Sequence, residues 1–351
     1  MSGFILIALL ILVLSVIYQI ARASEFATIL RGEGRVQAST NRTIGWVMVI
    51  MFVAGMWGIY MCHEALKGKM LPVSASVQGE QYDFMLKITL IVTGIVFVIT
   101  QGLLFWFAFR YQSTEKRTSY FYAHNNRLEL IWTTIPALVM AVLVAIGLRN
   151  WLNITSEAPR DSQVVEVVGK QFNWIIRYPG ADGVLGKRNF QLINNENNVL
   201  GLDTSDRQNM DDVVLENGEV HVIVNRPVKF IIGSRDVIHD VGLPHFRYKM
   251  DAVPGITTTL WFTPKYTTTQ MKEMTDNPDF VYELSCDQMC GKGHYSMRGT
   301  IIVETPEEHA AWVAKQQPYL KGGQSPAPAP SAVDSTGGPA AKAPVESITK
   351  R

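Results

Sequence analysis

The stretch CDQMCGKGHYSM, running from Cys286 to Met297, decides how the second half of this chain is read. It lies between two short segments rich in β-formers, Phe280 to Leu284 and Thr300 to Val303, so it is expected to be a loop joining two strands. Two thiols, an imidazole and a thioether on one loop form the soft to borderline donor set that suits copper. A single-copper electron-transfer site uses one cysteine with histidine and an axial methionine. A second thiolate at Cys290 lets two sulfurs bridge two ions, and a binuclear copper centre is therefore expected. Zinc takes Cys and His at tighter spacing and has little use for methionine, and a plain disulfide between Cys286 and Cys290 is the remaining alternative. One loop carries too few imidazoles for two ions. His239, in SRDVIHDVGLP, is the candidate for a further ligand, while His221 within a strand and His245 after Pro244 read as surface or packed histidines.

Outward from the loop, further β-rich segments recur from about Ser162: Val164 to Val168, Phe172 to Tyr178, Glu219 to Val224, Val228 to Ile232 and Thr257 to Phe262. Turn residues separate them, which predicts a small antiparallel sandwich or barrel over residues 160–316. An irregular, acid-rich insertion runs from Leu192 to Asn217. The tail, 321–351, is rich in Pro, Ala, Gly and Ser without apolar periodicity and is expected to be disordered.

The first 150 residues are of another kind. Four apolar runs, Gly3 to Ile20, Ile44 to Cys62, Ile88 to Phe109 and Leu130 to Leu148, each approach the ~20 residues a helix needs to cross a bilayer. Two of them fall in residues 1–85 and two in 86–150. Pro136 is tolerable inside the last run because neighbouring helices can satisfy the carbonyl it frees. Arg22, Arg31, Arg35 and Arg42 follow the first run and Arg110, Lys116, Arg117 and Arg127 the third, which places the N-terminus and everything after Leu148 outside the cytoplasm. That parity favours four retained helices over a cleaved first run, whose n-region carries no basic side chain. Glu129, directly before Leu130-Ile131-Trp132, puts a carboxylate at the bilayer edge and raises a functional question alongside the ordinary helix-start reading.

Across all 351 residues, 32 basic and 31 acidic side chains nearly balance, so bulk charge points to no nucleic-acid partner. With 47 % apolar residues the composition fits a part-membrane protein. Its three cysteines are too few for a disulfide scaffold, and the absence of C-x-x-C-H makes a covalently held haem unexpected.

Five segments taken together, LELIWTTIPAL, GKQFNWIIRYPG, LGLDTSDRQNMDD, SRDVIHDVGLPHFRYKMDAVPG and the cysteine loop, resemble the cytochrome c oxidase subunit II family in its order over about residues 85 to 315. The resemblance implies N-terminal transmembrane helices, the hairpin of 86–150 among them, and then an all-β cupredoxin-like domain. It implies a dinuclear CuA centre, with Cys286 and Cys290 bridging both coppers. His239 and Met297 would complete one copper, and His294 with the Gln288 backbone carbonyl the other. It further implies electrons received from a cytochrome c or cytochrome c domain near Phe172 and Trp174, passed to haem in subunit I, with CuB, oxygen reduction and proton pumping there. Glu129 would lie at the entrance of a proton path, in a bacterial inner membrane with the copper domain on the periplasmic or outer side. Two departures stand out. Gln288 replaces a glutamate whose side chain in many relatives helps bind magnesium at the subunit I boundary, and Phe172 replaces a tryptophan. A membrane-bound copper-binding or copper-transfer protein is the competing expectation.

Overall fold

The computed structural model describes residues 2–31, 33–114, 117–118 and 120–321. The tail expected to be disordered, 321–351, lies outside the described residues apart from Lys321. The chain divides into two compact units, one built on residues up to Pro72 with Phe84–Gly147, the other on Val73–Asp83 with the chain from Leu148 onward.

In the first unit, helices α1 (Ser2–Arg31), α2 (Glu33–Leu66), α3 (Val77–Arg110) and α4 (Asn126–Thr155) carry the four apolar runs. Among the described residues three helices, Gln37–Leu66, Val77–Arg110 and Asn126–Thr155, are long and apolar enough to cross a membrane. Side chains such as Ile95, Leu104, Leu138 and Val144 are exposed along these helices, as lipid-facing residues of a membrane anchor would be. Cys62 is exposed on α2. Asn125 caps α4 by accepting from the Leu128 amide at 3.1 Å, and Glu129 sits exposed in the first turn.

The second unit is a sandwich of two five-stranded sheets. One sheet has the order β3-β2-β1-β5-β8, from β1 (Gln163–Lys170), β2 (Asn173–Tyr178), β3 (Val213–Leu215), β5 (Val228–Ser234) and β8 (Thr258–Phe262). The other runs β4-β10-β9-β6-β7, from β4 (Glu219–Ile223), β6 (His239–Leu243), β7 (Tyr248–Ala252), β9 (Tyr282–Cys286) and β10 (Arg298–Glu304). The β1/β5 and β10/β4 pairs are parallel, so the sheets are mixed where wholly antiparallel ones were expected. Sequence reading also missed β3, β6 and β7: a three-residue strand has no periodicity, and HDVGL and YKMDA lack β-branched alternation. Alternating residues such as Val165, Val167, Trp174, Ile176, Phe230, Ile232, Tyr282 and Ile301 face inward and are fully buried.

Val73–Asp83, the end of the α2–α3 connection with the first turns of α3, packs into this unit although it falls within the expected extension 1–85. The Ala75 amide donates to His245 O at 2.8 Å, the Lys265 amide to Ala75 O at 2.8 Å, and Arg247 grips Asp83 through two bonds of 2.8 and 3.0 Å. Ser76 Oγ accepts from Gly79 N at the start of α3 and donates to Phe246 O at 2.7 Å.

The acid-rich insertion is anchored from below. Arg177, fully buried on β2, pairs with Glu166 at 2.9 Å and with Asp212, and also donates to Gly186 O and Asn209 Oδ1. Asp212 is itself fully buried, so the expected acidic surface of the insertion loses that carboxylate to the core.

Candidate metal centre

Cys286 ends β9 and Met297 directly precedes β10, so the two strands fix both ends of the ligand loop. The Cys286 amide donates to Met297 O at 3.2 Å and closes it. Inside the loop a single 3-10 turn, His294–Ser296, follows Gly293. Gly291 has φ of +135°, a conformation open to glycine, and Phe172 lies against both glycines: a Cβ on Gly293 would meet its ring at 2.6 Å. From the β1–β2 turn, Gln171 Nε2 donates to Cys290 O at 2.6 Å. His239 opens β6, whose Val241 pairs with Cys286, and this register carries the imidazole to the loop. Gly169 on β1 leaves room for it, since a Cβ there would meet His239 at 2.6 Å.

The result is a connected set of donors. Cys286 and Cys290 Sγ lie 3.8 Å apart. His239 Nδ1 lies 3.8 Å from Cys286 Sγ, and Gln288 O lies 3.2 Å from the same sulfur. His294 Nδ1 and Met297 Sδ each lie 3.8 Å from Cys290 Sγ. Among the described residues, His239, Cys286 and Cys290 form a buried group whose ligand atoms all fall within 4.8 Å of one another. Burial, then the neighbouring Cys286 thiol, pushes the Cys290 thiol up to about 11. A metal must therefore displace its proton, as thiolate sites do. His239 Nε2 donates to Asp236 Oδ1 at 2.8 Å, which leaves the Nδ1 lone pair facing the thiols. Asp236 is pinned in turn by the Gln171 amide at 2.7 Å. Although burial alone would raise it, the bonds from Gln171, His239 and Val237 hold its carboxyl below the usual range. Soft donors around two adjacent thiols fit copper.

The remaining expected residues separate. Phe172 is 39 % exposed, beside the loop, and Met289 and Tyr295 are more exposed still. Trp174 is fully buried, its ring centroid 6.0 Å from that of His239. Gln288 is exposed and its amide is neutral, a poorer ligand for magnesium than a carboxylate. Asp236 and Gln171 were missed; a histidine with an aspartate three residues earlier was the available signal.

Residues 64–149 match the family described as cytochrome c oxidase subunit II, transmembrane domain, and residues 163–305 match its periplasmic domain. The alternative cytochrome c oxidase subunit 2 of Bradyrhizobium diazoefficiens is 35 % identical over 237 residues, covering 68 % of this chain and 80 % of the relative. A probable cytochrome c oxidase subunit 2 of Rickettsia felis is 27 % identical, over 73 % of both. The crystal structure of the periplasmic domain of subunit II of the Bradyrhizobium japonicum cytochrome oxidase aligns with 26 % identity over 45 % of this chain and 95 % of its own, at a TM-score of 0.30. With a membrane anchor, a β-sandwich and a cysteine–histidine group within those matched segments, the chain belongs to the cytochrome c oxidase subunit II family.

Proposed function

We propose that this chain takes single electrons from a cytochrome c-type donor and hands them to the haem of subunit I in a bacterial inner-membrane oxidase. The copper domain would stand on the outer side. The observation that carries the reading is the continuous set of contacts of 3.2–3.8 Å linking Cys286, Cys290, His239, His294, Met297 and Gln288 O. In this assignment Cys286, Cys290, His239, His294, Met297 and the Gln288 carbonyl would hold two copper ions between them. When bound, the copper pair supplies a one-electron redox couple. The chain's own residues do the rest. Asp236 orients His239, Gln171 holds the loop at Cys290 O, and the buried thiols keep water from the centre.

Phe172, Met289 and Tyr295 give the loop an exposed apolar rim, which supports contact with a partner there. Phe172 is the surface point where electrons enter, and Trp174 packs beneath, beside His239. Of the insertion's acids, Asp212 is buried in an ion pair with Arg177 and adds nothing to the surface charge, whereas the amide bonds at Asp203 and Asp206 favour their charged forms. Glu129, exposed in the first turn of α4, serves the entrance of a proton path into subunit I.

Near-infrared and EPR spectra of the purified, copper-loaded full chain test the central assignment. The expected result is one unpaired electron shared by two copper nuclei. A hyperfine pattern from a single copper, or a copper stoichiometry of one, would overturn it.

A further inference from the structure

A groove of about 510 Å³ opens in the sandwich away from the thiols. Gln163 at the start of β1 lines it, whereas Gly169 near the end of β1 lies against His239. Six residues of strand put about 20 Å between the two places. The groove is walled by Tyr178, Pro179, Trp312 and Pro318, with Arg226 and Gln316 also lining it. Its aromatic walls are already fixed. Tyr178 and Trp312 meet at 5.1 Å and 66°, Trp312 stacks on His221 at 4.0 Å and 13°, and Tyr178 OH accepts from the His221 amide at 2.6 Å. Helix α6 (Pro306–Val313) carries Trp312 and starts with a capping box between Thr305 and Glu308.

Rigid aromatic and proline walls with donors at the rim suit a proline-rich strand. Such a segment presents flat pyrrolidine faces to the rings and free carbonyls to the donors, and it loses little entropy on docking because its extended form is already populated. This chain carries one within reach. Pro318 lines the groove, the Tyr319 amide donates to Asp212 O at 2.8 Å, and Tyr319 OH accepts from Val199 at 3.1 Å, so the path of the chain is fixed as it leaves the groove. The sequence then continues Lys321-Gly-Gly-Gln-Ser-Pro-Ala-Pro-Ala-Pro330. The three residues between Lys321 and Ser325 allow a span of up to ~10 Å, enough for the strand to turn back. We propose that the groove is the docking site of the chain's own Ser325–Pro330 segment, SPAPAP, bound across Tyr178 and Trp312.

Hydrogen exchange on the assembled oxidase tests this, comparing the full chain with one ending at Lys321. In the full chain the amides of Ser325, Ala327 and Ala329 are expected to exchange at least ~10-fold more slowly than in a free QSPAPAPSA peptide, by the protection that bound segments gain. Ending the chain at Lys321 should accelerate exchange at Ala181–Gly183 and Val313–Gln316 while leaving β9 and β10 unchanged. Replacing Pro326, Pro328 and Pro330 together by glycine leaves the sandwich intact and should reproduce the truncation. Adding the peptide at millimolar concentration to the truncated chain should restore protection. Tail amides exchanging at the free-peptide rate would overturn the proposal. So would groove protection that persists after truncation, which would give the groove to another subunit or a second copy.

Discussion

Two histidines are buried in the same sandwich and do opposite things. His239 turns one nitrogen to a carboxylate and the other to a pair of thiols 3.8 Å apart. His221 also meets a carboxylate, Glu304 at 3.0 Å, but its ring is stacked flat on Trp312, and Glu304 reaches on to His309 at 3.4 Å. Both have a buried ring and an acidic partner. What separates them is the identity of the remaining neighbours: soft sulfur donors at one end, a closed aromatic and carboxyl cluster at the other. Burial and a hydrogen-bonded acid alone do not make a histidine a ligand; the free nitrogen must face other ligands.

The comparison is broken most severely at the thiols. Cys286→Ser should abolish the paired-copper signal completely, because that sulfur touches His239, Gln288 O and Cys290 together. His221→Gln should leave copper stoichiometry and spectrum unchanged. Copper analysis and EPR on the two purified variants check this. A Cys286→Ser chain that still held two coupled coppers would refute the bridging role, and copper loss in His221→Gln would erase the distinction drawn here.

A smaller effect is expected at the other end. Trp312→Ala removes the ring that stacks on His221 and meets Tyr178 and His309, and large-to-small changes of this kind cost about 3 kcal/mol. In a domain of this size that corresponds to a fall in Tm of roughly 6–12 °C. Thermal unfolding followed in the full chain should show it, with the copper spectrum unaltered at low temperature. An unchanged Tm would mean that the stack contributes nothing.

Much of this contrast could be read in advance, and the reasons differ by region. The apolar runs were legible because a lipid-facing helix needs little but length and the absence of charge, and α2, α3 and α4 contain them. The loop was legible because its chemistry is local: Cys286, Cys290, His294 and Met297 lie within twelve residues. The surroundings of Asp212 and Trp174 were not legible because they come from distant sequence. Arg177 is thirty-five residues from Asp212, and His239 packs on Trp174 only through the pairing of two sheets. The same holds for Val73–Asp83, whose place in the sandwich depends on backbone bonds to His245 and Thr263.

The smallest effect, and the sharpest distinction between the two ends, is in the pH dependence of stability. Burial, then the nearby Glu308, raises the Glu304 carboxyl to about 7; burial, then His309, lowers His221 to about 4, and burial lowers His309 as well. For Glu304, raised above its usual 4.5, the folded state holds a proton the unfolded chain has lost, so its contribution falls as pH rises from about 4.5 to about 7. For His221, depressed from 6.5, the contribution is present above that value and falls as pH drops toward about 4. Between about pH 4.5 and 6.5 the Glu304 slope opposes those of the two histidines, so the wild type lies between the two single variants. Glu304→Gln removes the opposing slope and leaves His221 and His309, so stability should fall by up to about 1 kcal/mol for each pH unit below 6.5. His221→Gln leaves Glu304 opposed by His309 alone, so its curve should shift from the wild type in the other direction, toward loss of stability as pH rises. Tm measured from pH 4.5 to 7 on both variants, against wild type, reads the difference directly, since any pH effect at the copper loop is common to all three. Parallel curves for the two variants would show that Glu304 and His221 do not titrate against each other, and that the cluster is only packing.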